Sequence, residues 1–504
     1  MLLTLQLTPT TARARHEITL RGGYAFERSN ETYLGLSDAD FEADPYRRYL
    51  ASSEDRMEWD RFELRLRHVA DFGEVTLAST VYRHQLTRSW RKANGFAGAS
   101  FNDILADPSG GVRRVFYDVM TGAENSAGSD ENIVLGTNAR DYVSQGAQTI
   151  LEFDRETETL AHQVEFGLRV HNDYIDRDHT ELSYAVADQA LEEAGSPEVQ
   201  TADNRGEAFA VAVHASYALN WDRLTINPGA RFEYVSTTFE ERVSGERLEA
   251  SNIAVLPGLG IHAQLSPSWG VLAGVHRGFS SVAPGQPDDV KPEYSIAYEA
   301  GARYGRVDED SHAEVVGFFN DFSNMTSECS FSTGCADTEV GRQFNAGEVN
   351  VFGLEMVGRH SFWLPNGWEL PLSATYTFTK SSFQTAFESD DPQLGDVEFG
   401  DELPYLPRHQ GRIELGLSGT NWRGSVATTL VGESSEQAGT IGEGLTTDRQ
   451  VLVDLFAAYT PWRTLEVSLR VENVAGATSV ASRRPFGARP VRPFQLTGGV
   501  GYDF

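Results

Sequence analysis

Apolar and polar residues alternate along this chain with a period of two, almost from end to end. In "TLEVSLRVENV", Leu465, Val467, Leu469 and Val471 share one face, and Glu466, Ser468, Arg470 and Glu472 the other. "HQVEFGLRV" sets Val164, Phe166, Leu168 and Val170 against Glu165, Gly167 and Arg169. "RFELRLRH" sets Phe62, Leu64 and Leu66 against Glu63, Arg65 and Arg67. The closing "RPFQLTGGVGYDF" keeps the pattern from Phe494 to a terminal Phe504. A period of two is that of an extended strand with two differently solvated faces. Charges at three successive inward positions are ruinous in a dry sandwich core. A wide barrel with a wet interior accepts them. Helical spacing is confined to a short piece around "YAVADQALEEAG".

Segments of this kind number about 18, from 15–27 to 491–504. The connections between them alternate between short and long. "DFG", "NWD", "SPS" and "PWR" are short; 28–55, 86–146, 175–204, 324–346 and 383–407 are long. Short turns on one rim and long loops on the other are the habit of a membrane barrel, and a soluble sandwich has no reason to sort its loops so. Of the eight tryptophans, Trp221, Trp269, Trp363, Trp368, Trp422 and Trp462 fall in or beside short turns, where an interfacial girdle would collect them. The expected fold is therefore all-β, a transmembrane antiparallel β-barrel occupying residues 1–504.

Composition bounds the partners. Lys plus Arg number 42 against 73 Asp plus Glu, a formal net charge of -31, which argues against nucleic acid. No stretch approaches the roughly 18 apolar residues of a membrane helix, but a barrel strand needs only about 9–11. The start, "MLLTLQLTPTTARARHEITL", lacks the features of a secretory signal, so an export address is expected elsewhere. Cys329 and Cys335 in "SECSFSTGC" read as a disulfide-stapled loop of an exported protein, the alternative being two incidental thiols.

Four segments carry a family resemblance. "DVKPEYSIAYEAGARY" at 289–304, "FNAGEVNVFGLEMVGRHSF" at 344–362, "LPYLPRHQGRIEL" at 403–415 and "LRVENVAGATSV" at 469–480 occur in the order of the barrel motifs of TonB-dependent outer-membrane receptors. "NETYLGLSDADFEADPYRRYLASSEDRMEWDR" and "YRHQLTRSWRKANGF" resemble the ferric dicitrate branch of that family. The resemblance implies a barrel of about 22 strands with a plug inside it. No segment here resembles a plug, and "MLLTLQL" reads as the tail of a further strand. The chain is thus expected to be the C-terminal part of a receptor, with the plug and first strands absent; a self-contained plugless barrel is the alternative. The implied function is uptake of a ferric chelate, citrate or siderophore, with TonB-derived energy; the alternatives are a passive porin-like channel and a non-functional fragment. Implied partners are the chelate, the TonB-ExbB-ExbD complex acting through the plug, the barrel-assembly machinery that reads Phe504, and outer-membrane lipid and lipopolysaccharide. The setting is the outer membrane of a Gram-negative bacterium, and the barrel is expected to be a monomer. No cofactor is expected, the ferric chelate being the cargo.

An anionic chelate needs cationic or amide donors at the outer mouth, and arginine suits carboxylates. Arg83, Arg88, Arg91 and Lys92 lie where 73–85 leads into the longest loop, and Arg140 and Gln145 where that loop returns. Arg88 and Arg140 correspond by resemblance to the branch's citrate-contacting arginines. Arg342, Gln343 and Asn345 beside the cysteine loop are further candidates. The acidic "SDADFEAD" (Asp38, Asp40, Glu42, Asp44) lacks the spacing of a calcium loop and reads as a solvated face. No nucleophile elbow, HExxH, phosphate loop or dinucleotide fingerprint occurs, so the chain is not expected to be an enzyme.

Overall fold

The computed structural model describes residues 2–11, 14–306, 310–335, 340–365, 367–442 and 444–502. Phe504 lies outside the described residues. Alternation folds as alternation should, into one 20-stranded antiparallel sheet. Nineteen of its strands traverse the wall. They are β1 (Leu2–Leu7), β2 (Arg15–Ser29), β3 (Arg56–Asp71), β4 (Val75–Phe96), β5 (Ile133–Glu156), β6 (Leu160–Ala187), β7 (Val199–Trp221), β8 (Leu224–Glu241), β9 (Arg247–Gln264), β10 (Trp269–Ser280), β11 (Glu293–Arg306), β12 (Ser311–Asn324), β13 (Val349–Trp363), β14 (Glu369–Phe383), β15 (His409–Ser418), β16 (Trp422–Val431), β17 (Gln450–Trp462), β18 (Leu465–Glu472) and β19 (Gln495–Tyr502). Each pairs with its neighbours in chain order. The eighteen segments of the sequence reading are all present, and "MLLTLQL" adds β1, laddered to β2 from Leu2–Gly23 to Leu7–Ile18. Among the described residues β1 and β19 share no ladder.

The wall has a greasy outside and a charged inside. Leu64, Leu66, Phe166, Leu168, Ile253, Val255, Leu415 and Val467 are exposed on the outer parity. Inner-parity charges neutralise one another across neighbouring strands, as in Arg21–Glu63 at 3.2 Å, Arg303–Glu314 at 2.5 Å and Arg423–Glu466 at 2.7 Å. Such pairing makes "RFELRLRH" tolerable as a wall strand. Trp221, Trp269, Trp363, Trp422 and Trp462 are all more than half exposed at the short-turn rim.

Two expectations need correction. Around "YAVADQALEEAG" there is no helix: β6 continues to Ala187 and returns through Ala190–Glu193. Asp188 and Gln189 both take positive φ, 47° and 63°, which is the two-residue turn a hairpin requires. The α-helices lie instead inside the long loops: α1 (Asp38–Ala43), α2 (Phe101–Ala106) and α3 (Gly111–Thr121). The loops read as 86–146 and 175–204 are also shorter than expected, because β4, β5 and β6 run on as ladders well past the turn-side apolar belt.

The long loops share a core of their own. Leu34, Leu36, Phe96, Phe101, Ile104, Phe116, Met120, Ile133, Val186, Phe331 and Phe486 pack into one buried cluster. Its members come from the β2–β3, β4–β5, β12–β13 and β18–β19 connections and from the loop-side ends of β4, β5 and β6, so the loops at both ends of the sheet are knitted together. Leu34 bridges Phe486, and Leu36 bridges Ala488. Gly35 sits between those bridges, where a Cβ would lie 2.6–2.7 Å from three carbonyl oxygens, so no larger residue fits there. Buried Asn473 pins the base of the last loop, donating from Nδ2 to the carbonyls of Ala477 and Arg492.

Candidate functional site

A strand tilted by about 40° climbs roughly 2.5 Å per residue, so about ten residues cross the apolar belt. Arg88, Arg140 and Arg177 lie 13 to 17 positions from the short-turn ends of β4, β5 and β6. They therefore stand above the belt, at the foot of the loop core. The ladders place them directly opposite one another, Arg88 beside Arg140 and Arg140 beside Arg177. The next inner-facing row, one pleat higher, is Trp90, Asn138 and His179. Lys92 stands above Trp90 and is completely buried.

Like charges opposed across strands repel, and burial raises the cost of each. Among the described residues, none of Arg88, Arg140 and Arg177 forms an ion pair; neither does half-buried Arg489, reaching in from the β18–β19 loop. Their partners are neutral. Arg88 lies 5.8 Å from the ring centres of both Trp90 and Tyr142. Arg140 donates from Nε to His179 Nε2 at 3.0 Å, and Arg177 donates to Asn204 Oδ1 at 3.2 Å. The buried Nε atoms of Arg88 and Arg489 have no acceptor among the described residues. Burial pulls the pKa values of Arg88, Arg177 and Arg489 down from the ordinary arginine value. His179 is held down at about 3, first by burial and then by Arg140, Arg177, Lys92 and Arg88 around it. It is a neutral imidazole, able to accept from a guanidinium.

The disulfide Cys329–Cys335, with Cα atoms 5.8 Å apart, encloses the turn that carries Phe331. The Phe331 ring lies 3.8 Å from Lys92 Nζ and packs on Tyr33 and Phe486, each with ring centres 5.5 Å away. An aromatic lid thus covers Lys92. Beside it, a recess of about 320 Å³ joins Arg177 and His179 to Glu328, Gln286 and Arg342.

The other residues singled out in the sequence are placed differently. Arg83 and Arg91 have the outward parity of β4; Arg91 is paired with Glu54 at 2.5 Å, and Arg83 donates to Gln145, itself on the outer parity of β5. Arg342 stacks 4.8 Å over Phe344 at the edge of the recess. Gln343 accepts from the Ala283 N–H, and its own N–H donates to Gln286. Asn345 accepts from the Lys291 N–H. Asp40 accepts from Tyr117, Tyr49, Ser37 and Arg47; burial pushes its pKa up, and these donors outweigh that and hold it below the ordinary carboxylate value. That carboxylate is spent on the loop core. Among the described residues no group of three or more His, Cys, Asp or Glu could hold a metal ion. Arg177, His179 and Arg489 were missed in the sequence; parity carried along β6 into "YIDRDHTEL" would have found the first two.

Known proteins resemble the chain throughout. A family described as TonB dependent receptor-like, beta-barrel, matches residues 7–474. Among solved structures, the ferric citrate transporter FecA in its unliganded form superposes with a TM-score of 0.69 at 19% identity, over 97% of this chain and 70% of that one. The siderophore receptor PiuA from Acinetobacter baumannii gives 0.74 at 11% identity, over 99% and 73%. The ferric preacinetobactin receptor BauA from the same organism gives 0.69 at 14% identity, over 100% and 72%. These relatives are receptors and transporters rather than enzymes. With its ladder order, sorted loops and family match over 7–474, the chain belongs to the TonB-dependent receptor-like β-barrel family.

Proposed function

We propose that this barrel takes up an anionic ferric chelate of the citrate type across an outer membrane, with energy from a TonB-ExbB-ExbD complex. The long-loop rim faces outward and the tryptophan rim faces the periplasm. The observation that carries this reading is the row Arg88–Arg140–Arg177, three opposed guanidiniums without a carboxylate partner among the described residues. Neighbouring strands lie roughly 4.8 Å apart, so such a row carries a few kcal/mol of mutual repulsion even at an effective dielectric near 20. A multiply charged carboxylate complex converts that repulsion into attraction. The guanidinium fork matches its oxygens two at a time, and Trp90 and Tyr142 hold Arg88 from its faces. Neutral His179 adds no charge to the row and leaves Arg140 aimed. The apolar loop core above the row favours a gated receptor over an open pore.

The test is calorimetric titration of the detergent-solubilised full chain with ferric citrate and, separately, with a neutral ferric hydroxamate. Preferential binding of the citrate complex, lost in Arg88→Ala and Arg140→Ala, supports the reading. Equal binding of both, or indifference to the arginines, overturns it. A large, steady single-channel conductance would favour the porin instead.

A further inference from the structure

We propose that the chelate this barrel takes up carries a free ammonium arm beside its carboxylates, and that the recess under the β12–β13 loop seats that arm, with Glu328 as its acceptor. The inference deepens the uptake reading above and rests on it. At about 320 Å³ the recess lies at the small end of ligand pockets, room for one arm of a chelate rather than for all of it. It adjoins the guanidinium row, because Arg177 belongs to both.

Its walls are fixed before a ligand arrives. Arg177 opposes Asn204 across the β6–β7 ladder, and Ile175 opposes Gly206, so this wall faces inward with the row. The facing wall is the β10–β11 connection. There Gly285 takes a φ of 84°, and a Cβ on it would lie 2.7 Å from the Phe239 ring, so the turn rests its backbone on β8. Gln286 donates from Nε2 to the Gly341 carbonyl and accepts at Oε1 from the Gln343 N–H, both at 2.7 Å. That clamp ties the connection to a short hairpin, Thr326–Glu328 against Gln343–Asn345, in which Glu328 opposes Gln343. Buried Cys329 follows directly, so the disulfide fixes the backbone that presents Glu328. Preformed walls spare a ligand the cost of ordering them.

Both signs of charge line the recess. Arg342 is stacked over Phe344, and Arg177 donates to Asn204. Glu328 is the one acid of the lining, and among the described residues its side chain has neither an ion pair nor a hydrogen bond. Its charge is felt at Arg177, yet the two do not pair, so open space lies between them. A carboxylate only accepts hydrogen bonds. The bare carboxylate arm of citrate would meet Arg177 but be repelled by Glu328. An ammonium brings three donors and the opposite charge, while the carboxylates next to it stay on Arg177 and the row. A hydroxyl brings one donor and no charge.

The test uses the full chain as a detergent-solubilised barrel, its fold confirmed by heat-modifiable gel mobility. It is titrated calorimetrically with the ferric complexes of three citrate monoamides, bearing a 3-aminopropyl, a propyl or a 3-hydroxypropyl arm. The aminopropyl complex should bind roughly three- to five-fold more tightly than the propyl one, the range for an ion pair that reaches solvent. Glu328→Gln, close to the native shape, should bring that ratio to about one, and Glu328→Asp should keep part of it. Gln145→Ala, on the outer parity of β5, should leave the ratio at its wild-type value. Equal binding of the aminopropyl and propyl complexes, a preference that survives in Glu328→Gln, or an equal gain from the hydroxypropyl arm overturns the proposal and leaves the uptake reading intact. If ferric citrate and all three complexes fail to bind a properly folded barrel, the uptake reading falls and this inference with it.

Discussion

Arg177 and Gln145 make the sharpest contrast between single residues. Arg177 lies inward on β6, in register with Arg140, and forms no ion pair among the described residues. Gln145 lies outward, occupied by Arg83 and Asn172. Arg177→Ala should therefore weaken ferric citrate binding roughly 10–100-fold, the range for a lost charged hydrogen bond, while Gln145→Ala changes it less than about two-fold. Titration calorimetry on the two variants decides, and equal losses would dissolve the row as a site. His179 makes a second prediction, in pH. Its folded pKa of about 3 lies below the roughly 6.5 of an unfolded histidine. Between those values the unfolded chain holds the extra proton, so stability falls as pH drops through that window. At pH 5 the penalty is about 2 kcal/mol. His179→Gln should narrow the gap between thermal midpoints measured at pH 7 and pH 5. A gap unchanged from the wild type means that His179 is solvated in the fold.

Elements explain why parts of the site were legible in the sequence and others were not. Within a strand, parity alone tells inward from outward, and it correctly groups Arg88 with Trp90 and Lys92 while sending Arg91 to the other face. Reading 86–146 and 175–204 as loops discards parity where it was needed. That reading gathers Arg88, Arg91, Lys92 and Gln145 indiscriminately and leaves Arg177 and His179 unseen. The ladders of β4 to β6 outrun the belt because a loop core waits above to cover them, and no local pattern announces that core. The helix α3 was legible in principle, since Phe116, Val119 and Met120 recur at helical spacing and face the core. Arg489 was not, since only the tertiary path of the last loop brings it beside Tyr33. The lid carrying Phe331 is the element most open to experiment. Closing the Cys329–Cys335 loop removes about 2 kcal/mol of chain entropy from the unfolded state, and Phe331 then keeps solvent from Lys92. Phe331→Ala, or mild reduction of the disulfide, should make Lys92 reactive toward an amine-acylating reagent that leaves it untouched in the native barrel. Peptide mapping reads this directly. Continued protection of Lys92 would assign the cover to Tyr33 and Phe486 instead.

At the scale of the whole molecule, a cationic site sits within a chain of net charge -31. The two act over different distances. The row of guanidiniums attracts a carboxylate complex at contact, inside a region of low dielectric that salt barely reaches. The excess of acids, spread over wall and loops, repels the same anion from far away. At about 10 mM salt the screening length is roughly 30 Å, so an approaching chelate feels most of the molecule; at 0.15 M it is about 8 Å, and only the mouth is felt. Raising salt across that range should therefore speed association of ferric citrate, by roughly three-fold or more. A receptor steered by its own cationic mouth would show the opposite slope. Stopped-flow quenching of Trp90 fluorescence, which reports from within the row itself, gives the rate at each salt concentration. In Arg177→Ala the association rate should keep the same rising slope, since the far field is unchanged, while dissociation quickens. A rate that falls with salt in the wild type would mean that the row's field dominates beyond the loops. The loop core would then be an open vestibule for the anion rather than a lid it has to displace.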